Sequence, residues 1–514
     1  MRDDSRFDYV FVRFWIILLS SIAPLSISYC VLVLYGVPDT YRAPQILEIW
    51  AIAETTFYFF TLFFRAYYIQ SPAIHPPLPS REKRLELFIL CEESISDHKQ
   101  YISKWFMDTP ITDIRKENMK DFLRWAFLNS ATPDSEYDEE LEEYVTILEG
   151  RLNLKFPPGR ADNVKSLRLT VDKVKALHRS LVWYMCIHVV DVITFFSLLS
   201  HGFHFHHSSP MRCLAVFPPR LQTLVSAHRS PVKNLTYYHR PHTARGKLPL
   251  LLIHGIGVGL YPYIDFLTEL NPKPHKTEGD IGIIAVEILQ VSSRITEPVL
   301  TKEDICHQIR AILSHHGFDM VVLVTHSYGS VIATHLLHNP AMTNRIASVV
   351  VVDPITVQLH HPDVAYNFTF RKPKSANEWL LWYFGSMDMG VAHTLGRRFF
   401  WSENILWNED LCDCHATIFL AEKDNIVHTE QVRAYLLNHS TKYEIAADGN
   451  GNVMLPNQKM DNRQPKVVWC ENLHHGHVFA VKSWRRRLVN EVLEHSARIY
   501  NSDVSRWTNG NLPY

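Results

Sequence analysis

Apolar positions follow three different rhythms along this chain. The first is unbroken. From Phe14 to Pro38 the sequence FWIILLSSIAPLSISYCVLVLYGVP carries no charge, which as a helix is enough to cross a hydrocarbon core of about 30 Å. Arg2, Arg6 and Arg13 precede it, as in a cleaved signal peptide. The run is longer than a signal h-region and no A-x-A-like site closes it, so an anchor is the expectation. Residues 46–64 form a second apolar run, interrupted by Glu48 and Glu54, able to span or to lie in the interface. A third, 181–200, holds His188 and Asp191, which lipid would force toward protein or water, and a buried or membrane-skimming helix is expected there.

The second rhythm is helical. KENMKDFLRWAFLNS (116–130) and EELEEYVTILEGRL (139–152) place apolar residues at i, i+3 and i+4, with an acidic, solvated stretch from Asp134 to Glu143. This region offers no chemistry and reads as a connector between anchor and body. The third rhythm begins near residue 234. Short apolar runs at 234–240, 249–255, 281–288, 320–326, 347–353, 416–424 and 466–470 alternate with helical patterns at about 261–270, 302–315, 329–338, 428–437 and 478–497. Strands apolar on both faces that alternate with helices predict a parallel sheet covered on both sides. Chemistry then belongs at the carboxyl ends of the strands. The expected organisation is an anchor region (1–70), a helical linker (71–180), a hydrophobic helix and connector (181–233) and a catalytic domain (234–500) with a cap at about 354–415.

Charge and composition narrow the classes. Lys and Arg number 52 against 53 Asp and Glu, for a net charge of −1, which argues against a nucleic-acid binder. With 46% apolar and 20% charged residues, disorder is excluded. Eight cysteines are too sparse for a disulfide scaffold and include no C-x-x-C pair. The cluster HGFHFHH, with His201, His204, His206 and His207, lacks a thiolate or carboxylate set. It reads as an interfacial aromatic and histidine surface rather than a metal site.

The sharpest local signal is Thr325-His326-Ser327-Tyr328-Gly329, directly after the run MVVLV and before the helical pattern SVIATHLL. A strand-turn-helix of this kind lifts one side chain above the sheet, and the positions two before and two after it must be small. Gly329 satisfies this; Thr325 stands where glycine is usual. The helix amino terminus behind Ser327 favours developing negative charge.

Over about residues 234–500 the chain resembles the α/β-hydrolase superfamily. More narrowly, LIHGIGVGLYPY, THSYGSVIATHLL and DVAYNFTFRKPKSANEW resemble a group of fungal membrane-anchored α/β-hydrolase-like proteins. The resemblance implies a Ser–acid–His triad and an oxyanion hole, here the backbone N–H groups of Ile256, in His254-Gly255-Ile256-Gly257, and of Tyr328. It favours Asp424, at the end of the penultimate strand, as the acid; Asp353, one strand earlier, is the competitor, and either could simply cap the next helix. It aligns His475 with the base, with His477 second. The order Ser327…Asp424…His475 is that of the superfamily. Such a mechanism passes through an acyl-enzyme and calls for no metal or organic cofactor.

Trp379, Trp382, Trp401 and Trp407, beside Tyr383, Phe384, Phe399 and Phe400, make the cap region aromatic, as for an apolar acyl chain or for plain helix packing. With an anchor, the expectation is an integral membrane protein acting on a lipid-derived ester. Basic residues at both ends of a 1–70 hairpin place the body on the cytoplasmic side. Modification of the sequons at Asn234, Asn367 and Asn438 would report topology. Two rivals share the site: an acyltransferase, whose H-x₄-D signature occurs once at His275–Asp280 at about the frequency chance gives, and a non-catalytic scaffold.

Overall fold

Among the described residues nine strands join into one sheet, whose central apolar runs, β4 to β8, bury both their faces: β1 (His204–His207), β2 (His228–Arg229), β3 (Thr236–Arg240), β4 (Leu250–Ile253), β5 (Ile283–Glu287), β6 (Val321–His326), β7 (Ile346–Val352), β8 (His415–Ala421) and β9 (Lys466–Cys470). This computed structural model describes residues 5–36, 38–272, 279–412, 414–438 and 464–508. The strand order is β2-β1-β3-β5-β4-β6-β7-β8-β9. From β5 to β9 every pairing is parallel, while β3 runs antiparallel to both of its neighbours, β1 and β5. The period of two sorts the side chains into two cores. Leu251, Ile253, Val286, Leu323, Val349 and Ile418 pack with Ile305, Ile309 and Ile312 of the helix Lys302–His315. Leu250, Leu252, Val322, Val350 and Phe419 pack on the other face with Leu488 and Val492 of the closing helix Lys482–Thr508.

The histidine cluster is not an interfacial surface. His204–His207 is β1, paired with β3, and Phe205, His206 and His207 are buried. Cross-strand partners supply the apolar contact that the sequence HFHH lacks by itself.

Before the sheet, α1 (Arg6–Leu34) and α2 (Gln45–Tyr67) form a hairpin that is fastened along only part of its length. Val12 and Ile16 pack on Ala376 and Tyr383, and Arg13 lies over the ring of Trp379. On α2, buried Glu54 accepts from the backbone N–H of Leu181 and contacts His178. The other end of the hairpin leaves Leu25, Val31, Leu32 and Leu34 of α1 and Ile46, Leu47, Ile49 and Ile52 of α2 exposed.

Next come α3 (Arg81–Glu93), α4 (His98–Trp105), α5 (Lys116–Leu128) and α6 (Asp138–Leu152), around a core that includes Ile102, Phe106, Met119, Phe122, Leu141 and Tyr144. Glu140, within the stretch expected to be solvated, is buried because Arg84 and the Tyr144 hydroxyl donate to it. This region is bonded to the sheet body. Tyr101 Oη–H and Trp105 Nε1–H both donate to the His360 carbonyl, and Lys104 pairs with Asp363 at 2.5 Å.

The third long apolar helix, α7 (Leu181–Ser200), turns Tyr184, Ile187, Asp191, Thr194 and Leu198 inward and exposes Met185, Val189, Ile193 and Phe196. Arg294 pairs with Asp191, and Arg220 lies 3.7 Å from it while forking onto Glu287 at 2.7 and 2.8 Å. These partners explain an aspartate inside an apolar helix: α7 is a flank of the sheet body along one face. All three helices are long and apolar enough to cross a membrane.

Candidate active site

The turn after β6 holds Ser327 at φ 51°, in the left-handed region, at a cost of order 1–3 kcal/mol for a residue with a side chain. Close backbone approach makes this possible. A Cβ on Gly329 would stand 2.4 Å from the Ile253 carbonyl oxygen, and one on Gly255 would meet the Ser327 Cβ at 2.9 Å. Thr325 occupies the other tight position fully buried, paired across to Ile253 and Val351, its hydroxyl without a partner.

Three of the expected residues come together above the sheet. Ser327 Oγ lies 2.8 Å from His475 Nε2, and His475 Nδ1 lies 2.6 Å from Asp424 Oδ2. Asp424 is held from its other oxygen, where Oδ1 accepts the backbone N–H groups of Ile426 and Val427 at 2.7 and 3.0 Å. Its side chain is fully shielded from solvent. Because a carboxylate only accepts, Nδ1 carries the proton and Nε2 presents a lone pair to the serine hydroxyl.

Asp353 does another job. It makes no hydrogen bond to His475. Its Oδ1 accepts from the Ala421 N–H at 2.8 Å and its Oδ2 from the Gly476 N–H at 2.7 Å, tying the end of β8 to the turn that carries His475. His477 stands apart, its ring packed on His474 and its pKa pushed down to about 4, mainly by burial. Burial alone would lower His475 too. The charge and hydrogen bond of Asp424, with the charge of Asp353, outweigh it and raise the imidazole to about 9. Burial raises Asp353 to about 6.

The backbone N–H groups of Ile256 and Tyr328 have no protein acceptor among the described residues. The loop bearing Ile256 is held by groups that sequence reading passes over. The Gly255 N–H donates to the Tyr263 oxygen at 3.0 Å, and the Tyr263 hydroxyl shares a hydrogen bond of 2.6 Å with His326 Nδ1. His254 Nε2 accepts from the Ile288 N–H at 2.9 Å. His326 is buried behind the turn, 3.0 Å from where a Cβ on Gly476 would stand. Its place between Thr325 and Ser327 was visible in sequence; its role was not, since Tyr263 lies 63 residues away.

Ser327 opens on a narrow apolar cleft. Ile256, Ile355, Phe368, Phe399, Trp401 and Ile426 line it from the body. Trp105, Trp125 and Leu169 line it from the helical region expected only to connect. Most cap aromatics lie elsewhere: Tyr383 with Trp379, Trp382 and Phe384 packs against α1, and Trp407 stacks on His360. Plain helix packing thus accounts for these, and Phe399 and Trp401 alone of the eight reach the cleft. Of the H-x₄-D pair, His275 lies outside the described residues and Asp280 is engaged by Arg240 at 2.7 Å.

Residues 249–387 match the family described as the alpha/beta hydrolase fold. Among solved structures, the chain is similar to a bacterial membrane phospholipase A (12% identity, 61% of this chain and 94% of that one, TM-score 0.36). It is similar to a thermophilic esterase from Thermogutta terrifontis (13%, 53% and 97%, 0.35). It is also similar to carboxyl esterase 2 from the mycorrhizal fungus Tuber melanosporum (14%, 53% and 83%, 0.34). No curated protein matches the chain. The sheet order, the turn at Ser327 and the match over 249–387 together give the chain an α/β-hydrolase fold.

Proposed function

We propose that this chain is a membrane-anchored serine hydrolase that cleaves carboxylic esters with an apolar acyl chain, resembling in this the fungal membrane-anchored group. The observation that carries the reading is the relay Asp424–His475–Ser327 opening directly onto an apolar cleft. A serine hydroxyl is a poor nucleophile at neutral pH. His475 Nε2 takes its proton as Oγ attacks the ester carbonyl, and Asp424 holds the tautomer and stabilises the imidazolium. The N–H groups of Ile256 and Tyr328 receive the oxyanion, each donor contributing about 10²–10³ in rate. His475 then protonates the departing alcohol, and water activated by the same imidazole resolves the acyl-enzyme.

Leu169, Thr369 and Leu395 are shared by the cleft and a broader groove whose rim carries exposed Lys165, Lys173 and Lys175. An amphiphile suits both, with its chain in the cleft and its polar head on the groove. A lipid-derived ester reaching the site from the bilayer fits this shape, with the bare end of the α1–α2 hairpin as anchor. Because α7 is clamped through Asp191, the body stays on the side where the hairpin begins and ends, the cytoplasmic side by the distribution of Arg and Lys. Asn367 already donates its amide to the Ile426 carbonyl, and the Asn438 sequon runs into residues outside those described.

The test is hydrolysis of acylglycerols and lysophospholipids by the detergent-solubilised chain, wild type beside Ser327→Ala. Release of fatty acid by the wild type alone supports the reading. Transfer of the acyl group to an added alcohol in preference to water would make the chain an acyltransferase. No turnover of any ester by the wild type would make it a scaffold.

A further inference from the structure

The fold gathers a second set of titratable side chains at the far edge of the sheet, where the catalytic relay has no use for it. Antiparallel pairing sets His204 opposite His239 and His206 opposite Tyr237. The two-residue repeat then puts His204, His206, Tyr237 and His239 on one face. The helix Lys302–His315 covers that face and delivers His316 as its C-cap. His206, His239 and His316 each offer a ring nitrogen, and the three lie within 4.8 Å of one another.

We propose that His206, His239 and His316 form a structural binding site for a divalent transition metal of the Zn²⁺ class. The ligand set decides the class. Three imidazoles with no carboxylate or thiolate suit Zn²⁺, Cu²⁺ or Ni²⁺ and disfavour Mg²⁺ and Ca²⁺. Two of the rings already have the outer partner that metal-bound histidines use to fix their tautomer. His206 Nδ1 faces the Arg229 carbonyl at 3.3 Å. A carbonyl only accepts, so Nε2 keeps its lone pair. His316 Nε2 lies 2.9 Å from the Tyr237 hydroxyl, which can accept from the Nε2–H of the tautomer whose Nδ1 binds an ion.

Burial holds all three rings below the ordinary histidine range, in the neutral form that metals bind. His239 and His316 are stacked at 3.7 Å between centroids and are partly exposed. A tetrahedral ion with bonds of about 2.1 Å requires nitrogens about 3.4 Å apart, closer than the 4.8 Å within which they lie here, with water as the fourth ligand. The site lies on rigid elements. It would staple β1, which follows α7 directly, to β3 and to the end of the helix Lys302–His315.

The experiment uses the untagged full chain in detergent, stripped with chelator. Zn²⁺ binding is measured by isothermal titration, Co²⁺ binding by visible absorption, and melting temperature with and without Zn²⁺. One tight equivalent, a tetrahedral Co²⁺ spectrum and a Zn²⁺-dependent rise in melting temperature are expected. His239→Ala should weaken that equivalent at least tenfold and abolish the rise, while His201→Ala, at the exposed end of α7, should change neither. His316→Gln, at a half-exposed position, serves if His239→Ala fails to fold. Absence of a tight equivalent in the wild type, or Zn²⁺ titrations unchanged by both His239→Ala and His316→Gln, would overturn the site.

Discussion

Two groups of histidines stand on the same sheet and are driven in opposite directions. At the carboxyl end, His475 faces Asp424 and lies near Asp353, and is raised to about 9. At the far edge, His206, His239 and His316 lie among other histidines, Tyr237 and Phe318, with no carboxylate beside them among the described residues, and chiefly burial lowers them to about 4, 3 and 4. Burial lowers a histidine in both places; a carboxylate within hydrogen-bond reach is what reverses it. The first arrangement suits a base that must hold a proton for part of a cycle, the second a set of permanent lone pairs.

Breaking the first arrangement has the largest expected effect. Asp424→Asn keeps the shape but lets the imidazole adopt the wrong tautomer, and kcat/KM for ester hydrolysis should fall by about 10³–10⁴ with the melting temperature nearly kept. A full rate in that variant would remove Asp424 from the relay. Asp353→Asn sharpens the contrast further. His475 must be neutral to act, so kcat/KM should fall as pH drops through its raised pKa. Deleting the charge of Asp353 lowers that pKa and moves the limb toward acid, alongside a loss of about tenfold from the amide now facing a backbone N–H. A limb that does not move would leave Asp353 a backbone anchor only.

The smallest effect concerns the helical region. Trp105→Leu opens the cleft, and the ratio of kcat/KM for long over short acyl esters should rise by about 10-fold, the range that one or two methylenes command. That ratio is insensitive to any loss of stability. An unchanged chain-length profile would return the helical region to the role of connector.

What could be read from the sequence follows from which interactions are local. Strands such as Val321–His326 and Ile346–Val352 are apolar on both faces, and helices alternate with them, so the parallel sheet and its elbow were legible. β1 and β2 were not, because histidine is no strand signature: β1 owes its burial to pairing with β3, and β2 is an exposed two-residue strand paired with β1 alone. Asp191 looked anomalous in α7 until Arg294, 103 residues away, supplied its partner. The wall that Trp105 and Trp125 give the cleft is equally remote from Ser327. At the candidate site, spacing leaves His474, His475 and His477 equivalent; the left-handed turn at Gly476, anchored on Asp353, orients the loop so that His475 faces Ser327.

The most direct test of the central claim is to label the solubilised chain with a fluorophosphonate at several pH values and map the adduct by peptide mass spectrometry. The account predicts a single adduct on Ser327, formed faster as pH rises through the His475 pKa and absent from Ser327→Ala. An adduct on another residue, or none at any pH, would contradict it.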